Sequence, residues 1–294
     1  CPAVFRNLVV LALAAVLRRG PLRRDMTLAL EPVQHGIQHA VGPLQVPARQ
    51  LSHPLDDGVA VTVALGKDGR GQDRFTSRAM IEAEQRLHRA ADTMAKRKGH
   101  AVNDVQRNAA FANAAKRGLV LSGEQKSAFE HVTNSKGLTI VVGYAGTGKS
   151  AMLGVAREAW ESAGYTVRGA ALSGIAAEGL EHGSGIASRT IASLEHQWGQ
   201  GRELLTSRDV LVIDEAGMVG TRQMERVLSH AADAGARVVL VGDPQQLQAI
   251  EAGAAFRTIH ERHGGVEISE VRRQHEGWQR DATRHLATGR TGLA

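Results

Sequence analysis

Residues 143–150 read Gly143-Tyr144-Ala145-Gly146-Thr147-Gly148-Lys149-Ser150, and no other feature restricts so tightly what this chain can fold into. The spacing is that of a phosphate-binding loop. Its glycines let the backbone curl so that several N–H groups face one anion. A helix starting where the loop ends adds the partial positive charge of its N-terminus. The motif therefore requires a strand before it and a helix after it. The sequence supplies both, as the apolar run Leu138–Val142 and the helical stretch Ala151–Ala163. Within the motif, Gly143, Gly146, Thr147 and Gly148 form the cradle, Lys149 contacts the β- and γ-phosphates of a nucleotide, and Ser150 ligates Mg²⁺.

From about residue 118 onward, β-rich runs alternate with helical stretches. The runs are Leu138–Val142, Thr166–Ala171, Val210–Ile213 and Val238–Val241. Such alternation predicts an α/β fold, a parallel sheet with helices on both faces. Upstream, residues 78–98 predict an amphipathic helix, with Met80, Ala83, Leu87, Ala90, Ala91 and Met94 at helical spacing and Thr76 or Ser77 as its cap. Arg86, Arg89, Lys96, Arg97 and Lys98 lie on its other face, either a solvated surface or a nucleic-acid contact. Residues 73–117 are accordingly expected to form a helical linker and 118–294 the nucleotide-binding domain. Residues 1–72 show no clear period and hold six of the seven prolines, so they are expected to be irregular. His35 and His39 stand four apart there, without the third ligand a metal site needs.

The run Val210–Ile213 ends in Asp214-Glu215. A carboxylate at the end of a strand beside a phosphate loop holds Mg²⁺ directly or through water, here Asp214. The next one, Glu215, orients and deprotonates an attacking water. A water-activating Glu points to nucleotide hydrolysis, because a kinase must exclude water. The run Val238–Val241 ends in Gly242-Asp243-Pro244-Gln245-Gln246-Leu247. Strand ends of an open α/β sheet lie on the ligand edge, so Gln246 is expected to sense the γ-phosphate.

Composition narrows the setting. The net charge of +6 and the pI near 9.9 suit a polyanionic partner. The single cysteine, Cys1, excludes an intrachain disulfide and a Cys-based zinc site and fits a reducing, cytoplasmic compartment. The apolar stretch Val4–Leu17 is too short to span a bilayer and carries its basic pair on the wrong side for an export signal. No membrane partner is expected. A chain beginning with Cys rather than Met suggests a fragment or an unusual reading start.

The ordered motifs resemble superfamily 1 helicases of the RecD-like branch. More closely, residues 73–294 are similar to the helicase part of TraA-type conjugative relaxases. The elements that carry the likeness are Leu121-Ser122-Gly123-Glu124-Gln125, the phosphate loop, Ala171-Leu172-Ser173-Gly174-Ile175-Ala176-Ala177, Ser188-Arg189-Thr190-Ile191, Asp214-Glu215-Ala216-Gly217-Met218, Gly242–Leu247 and Val271-Arg272-Arg273-Gln274. The resemblance implies a RecA-like P-loop ATPase, the first motor domain of a helicase, using ATP and Mg²⁺. It implies that Gln125 reads the adenine edge and that Ser173, Gly174 and Thr190 touch the phosphates of single-stranded DNA, with no sequence readout. It assigns Arg273 to the γ-phosphate, with Arg272 as the rival. Trp198, near the turn Gly199–Arg202, is a candidate strand-separating wedge or stacking platform, and equally a plain hydrophobic contact.

The likeness has gaps. A whole motor of this class has a second RecA-like domain, expected to be missing from this chain, and the relaxase part of the family needs a nicking tyrosine. Tyr144 and Tyr165 are the only tyrosines, and neither is placed for nicking. The reading is thus an ATP-dependent DNA helicase motor domain, with the conjugation machinery as a possible partner. Its rivals are a nucleotide- and DNA-binding module without turnover of its own, and another P-loop ATPase of the AAA+ kind.

Overall fold

The computed structural model describes residues 62–69, 71–144, 146–243 and 254–270. The chain divides into two units, Cys1–Val59 and Ala60–Ala294, and every described residue lies in the second. His35, His39, Gln246, Arg272 and Arg273 lie outside the described residues.

Strands β1 (Thr62–Lys67) and β2 (Asp73–Ser77) pair antiparallel. The stretch expected to be irregular through residue 72 therefore ends in a strand. Its apolar residues are few and none is buried, Leu65 being exposed, so it shows no core-facing alternation to read. Helix α1 (Arg78–Lys96) follows directly, and the Ser77 hydroxyl accepts from the Met80 N–H as its cap. Its buried residues are the six read from its helical period. Four of them, Leu87, Ala90, Ala91 and Met94, share one core cluster with Met224, Val227, Leu228 and Ala231 of helix α7 (Thr221–Ala234). Leu87 and Met94 are fully buried, and each contributes roughly 1.5–3 kcal/mol by leaving water. So α1 belongs to the core of the domain and is not a linker standing off it. On its polar face, Arg86 is tied to Glu225 of α7 at 3.0 Å.

Helices α2 (Asp104–Lys116) and α3 (Gly123–Val132) both start with a reciprocal capping box, Asn103 with Gln106 and Ser122 with Gln125. The main sheet then alternates with helices: β3 (Leu138–Gly143), α4 (Lys149–Ser162), β4 (Thr166–Ala171), α5 (Gly174–Ser184), β5 (Ser188–Thr190), α6 (Ile191–Gly199), β6 (Asp209–Ile213), α7, β7 (Arg237–Gly242), α8 (Ala255–His263) and β8 (Val266–Ile268). Its order is β5-β4-β6-β7-β3-β8. All five pairings are parallel. This is the α/β architecture predicted, with β7 inserted between the phosphate-loop strand β3 and the acidic strand β6.

The strands bury both faces, and the period of two decides which side chain goes where. Leu211, Ile213, Val238 and Leu240 join one core layer with α1, α6, α7 and α8. Val210, Val212, Val239 and Val241 join the other with α2, α3, α4 and α5. Because every strand runs the same way, all their C-terminal ends meet at one edge of the sheet. That edge carries the phosphate loop, the Asp-Glu pair and Asp243.

Candidate nucleotide-binding site

Strand β3 ends at Gly143, and α4 begins at Lys149. Between them the loop turns through Gly146 (φ 81°) and Gly148 (φ 75°), left-handed conformations that an L side chain resists. Gly148 is the N-cap of α4 and has no side chain to satisfy the first helical N–H groups. Those donors are left for an anion. A Cβ at Gly148 would also collide with the Gln125 side-chain nitrogen.

Gln125 is buried and used at both ends of its amide. Oε1 accepts from the Ser122 N–H at 3.0 Å, and Nε2 donates to the Thr147 carbonyl at 2.9 Å. The residue expected to read adenine thus braces the phosphate loop from beneath. Thr147 is itself buried, and its hydroxyl donates to the Tyr144 carbonyl at 2.9 Å.

Lys149 folds back over the end of β3. Its ammonium donates to the carbonyls of Gly143 at 2.6 Å and Tyr144 at 2.9 Å. Burial pushes its pKa down, and attraction to Asp214, Asp243 and Glu215 opposes that. The charges of all three carboxylates thus act on the one lysine, although they come from strand ends 29 residues apart in sequence, 214 against 243.

Asp214 follows the fully buried strand β6. Its N–H donates to the Ala170 carbonyl at 2.9 Å, and its Oδ1 accepts from the Glu215 N–H at 2.9 Å. Burial raises its pKa, against the pull of that N–H and of Lys149. Glu215 has φ 52° and ψ 34°, a left-handed conformation in a non-glycine residue. Such a backbone costs roughly 1–2 kcal/mol and marks functional turns. Burial and the neighbouring Asp214 raise the Glu215 pKa, and Lys149 lowers it. A carboxylate held above its ordinary range is a stronger base than a free one.

The Asp-Glu turn is pressed against the end of β7. A Cβ on Gly217 would strike the Asp243 carbonyl oxygen, and one on Gly242 would lie 2.8 Å from the Gly217 nitrogen. Two glycines let these backbones touch, which carries Asp243 toward the Lys149 cluster.

The donor set fits Mg²⁺. Ser150 and Asp214 offer hard oxygen ligands, and no group of three or more His, Cys, Asp or Glu among the described residues makes a full protein cage. Mg²⁺ is commonly held by one or two protein oxygens plus substrate phosphates. A buried carboxylate with a raised pKa, such as Asp214, is the kind a cation would stabilise in ionised form.

Ser173 and Thr190 sit at the same edge. Each caps a helix: Ser173 Oγ accepts from Ala176 N–H, and Thr190 Oγ1 from Ser193 N–H, both at 3.2 Å. Ala171 pairs with Thr190 across β4 and β5, so the N-termini of α5 and α6 emerge side by side. Gly174 opens α5, with nothing within 4 Å of a Cβ placed on it. Trp198 is accounted for by packing: it stacks on His230 with centroids 4.2 Å apart and donates to the Glu203 carbonyl at 3.1 Å.

Two features gave no sequence signal. A cleft of about 640 Å³ runs from the phosphate loop to the α5 wall formed by Gly179, His182 and Gly183. Glu124, beside Gln125, clasps residues 269 and 270: it accepts from the Ser269 N–H at 2.7 Å, the Ser269 hydroxyl at 2.8 Å and the Glu270 N–H at 2.9 Å.

With this geometry in view, comparison with known proteins is specific. The AAA domain family matches over residues 120–294. The chain is 46% identical over 230 residues to the probable conjugal transfer protein TraA of Sinorhizobium fredii, covering 78% of this chain and 20% of that one. It is 49% identical over 216 residues to the conjugal transfer protein TraA of Rhizobium radiobacter, covering 74% and 19%. The ATP-dependent RecD2 DNA helicase of Deinococcus radiodurans is 31% identical over 172 residues, covering 56% and 23%. The chain spans about a fifth of the length of these TraA relatives.

Proposed function

The chain belongs to the AAA domain family, and from that premise we propose that it is the ATP-hydrolysing motor domain of a conjugal-transfer DNA helicase, acting in the cytoplasm. The observation that carries this reading is that the phosphate loop with Lys149, the Asp214-Glu215 turn and Asp243 all lie at the C-terminal edge of one parallel sheet. Lys149 would bind the β- and γ-phosphates of ATP. Ser150 and Asp214 would hold Mg²⁺, which supplies positive charge to the phosphates when bound. Glu215 would take a proton from water as the water oxygen bonds to the γ-phosphorus and the bond to the β-phosphate oxygen breaks. Gln246 would report loss of the γ-phosphate, and Arg273 or Arg272 would stabilise charge on it.

Single-stranded DNA is the proposed track. Ser173, Gly174 and Thr190 cluster where two helix N-termini present donors side by side, an arrangement that suits backbone phosphates and carries no base readout. The names of the relatives, conjugal transfer protein and DNA helicase, support the same reading. Among the described residues, no helix is long and apolar enough to cross a membrane.

The test is ATP turnover by the chain with and without single-stranded DNA, in Mg²⁺. Stimulation by DNA supports the motor reading. Binding of both ligands with no turnover under any condition leaves a nucleotide- and DNA-binding module in its place.

A further inference from the structure

We propose that His182 is a nucleotide-contacting side chain, meeting the diphosphate end of the bound nucleotide from the wall of the cleft that faces the phosphate loop. This rests on the reading of that cleft as a nucleotide site.

The cleft has two walls of different origin. One is the loop itself and the first turn of α4, through Ser150 and Ala151. The other is the last turns of α5, with Gly179, His182 and Gly183. Gly183 is what lets α5 come this close. A Cβ there would lie 2.6 Å from Ser150 Cβ and 3.1 Å from its hydroxyl. Behind it, Gly154 of α4 lies against the carbonyl of Ser184, 3.1 Å from where a Cβ would stand. Helix α5 is thereby held against α4 by backbone contact, and the residue before Gly183, His182, lines the same cleft as Ser150.

His182 is the one polar side chain on the α5 wall, since its lining neighbours there are glycines. It is exposed rather than packed into the core. Its Nδ1 lies 3.2 Å from the Glu178 carbonyl of its own helix. A carbonyl can only accept, so Nδ1 carries the proton, and Nε2 is the atom left for a ligand. A phosphate oxygen can only accept, so the contact is an Nε2–H donating to it, a charge-assisted hydrogen bond with both ring nitrogens protonated.

Position selects the diphosphate end. Asp214 and Glu215 follow the end of β6 and Asp243 the end of β7, and these strand ends mark the side where γ-phosphate and metal belong. None of those carboxylates lines the cleft beside His182. An oxygen near Ala151 and His182 therefore belongs to the part of the nucleotide that ADP and ATP share. A contact made equally before and during phosphoryl transfer is uniform binding, so it sets KM and leaves kcat alone.

The experiment is calorimetric titration of the full chain with ADP and with a slowly hydrolysed ATP analogue, both with Mg²⁺. Wild type, His182→Ala, His182→Gln and Lys149→Ala are compared, with ATPase kinetics alongside. We expect His182→Ala to weaken both nucleotides alike, about ten- to a hundredfold, the range of one lost hydrogen bond to a charged group. His182→Gln should recover part of that, and KM should rise with kcat unchanged. Wild-type affinity in His182→Ala overturns the proposal, as does a loss confined to the ATP analogue, which would move the contact to the γ end. Failure of the cleft reading itself looks different: Lys149→Ala would then bind nucleotide as well as wild type, whatever His182 does.

Discussion

The carboxylate of Glu124 accepts both the backbone N–H and the hydroxyl of Ser269, a residue 145 positions further along the chain. It accepts the Glu270 N–H as well. Glu124 stands next to Gln125, whose amide braces the phosphate loop. The first turn of α3 thus ties together the loop and the segment that leads into Val271-Arg272-Arg273-Gln274. One short helix start therefore contacts both the phosphate loop and residues 269 and 270.

Glu124→Gln should lower stability by about 1–2 kcal/mol, because hydrogen bonds to a charged acceptor are worth more than neutral ones. Burial pushes the Glu124 carboxyl up, but its three donors outweigh burial and hold it below the ordinary glutamate range. Its folded pKa lies under the unfolded one, so its stabilising effect is full above the ordinary range and is lost as pH falls through the lowered folded value. Urea denaturation at pH 7 should separate wild type from variant, and the two curves should approach each other as the solution is acidified. A gap that stays constant down to pH 3 would contradict this.

Gln125→Ala should weaken ATP, GTP and tripolyphosphate by similar factors, because the amide supports the loop through Thr147. If Gln125 instead reads the base, only adenine nucleotides suffer. Competition binding with the three ligands decides between these roles.

Gly148→Ala places a methyl group against the Gln125 amide and forces an L residue to φ 75°. The backbone term alone is roughly 1–2 kcal/mol. The brace is broken at the same time, so nucleotide affinity should fall more than tenfold while far-ultraviolet dichroism stays near wild type. Undiminished nucleotide binding would show that the loop tolerates a different path.

Lys149→Ala should remove detectable ATP binding, since Lys149 is the cation whose charge acts on both Asp214 and Glu215. Glu215→Gln should bind ATP and turn it over far more slowly, because an amide cannot accept the proton of water. Equal turnover in wild type and Glu215→Gln would remove Glu215 from the water-activating role.

Binding of single-stranded DNA should be sequence-tolerant and salt-sensitive. Its log–log slope is about −0.7 per neutralised phosphate, and roughly three to five such contacts are expected for one motor domain. Thr190→Asp offers a sharper variant, because aspartate caps α6 as well as threonine does but sets a negative charge at the proposed phosphate contact. Stability should hold while DNA affinity drops. Unchanged affinity in Thr190→Asp would place the DNA elsewhere.

What could be read from the sequence was local, or repeated with a fixed period. The phosphate loop is legible because eight consecutive residues meet one steric requirement. The runs Leu138–Val142, Val210–Ile213 and Val238–Val241 are legible because a sheet buried on both faces needs nearly continuous apolar runs. The stripe Met80–Met94 is legible because a helix repeats its inner face every 3.6 residues. None of this says which strand lies beside which. Only the tertiary structure inserts β7 between β3 and β6, bringing Asp243 toward Lys149. It turns the Gln125 amide inward to Thr147, makes Ser173 and Thr190 helix caps, and stacks Trp198 on His230. It buries Arg237 completely, over the ring of Trp160, at the start of a strand read as beginning at Val238. The α5 wall of the cleft was invisible for the same reason. Gly183 and Ser150 share no local pattern, and their contact exists because two helices on one face of the sheet are close enough for a glycine to matter. Covalent neighbours and periods fix the elements; the docking of distant surfaces fixes the site.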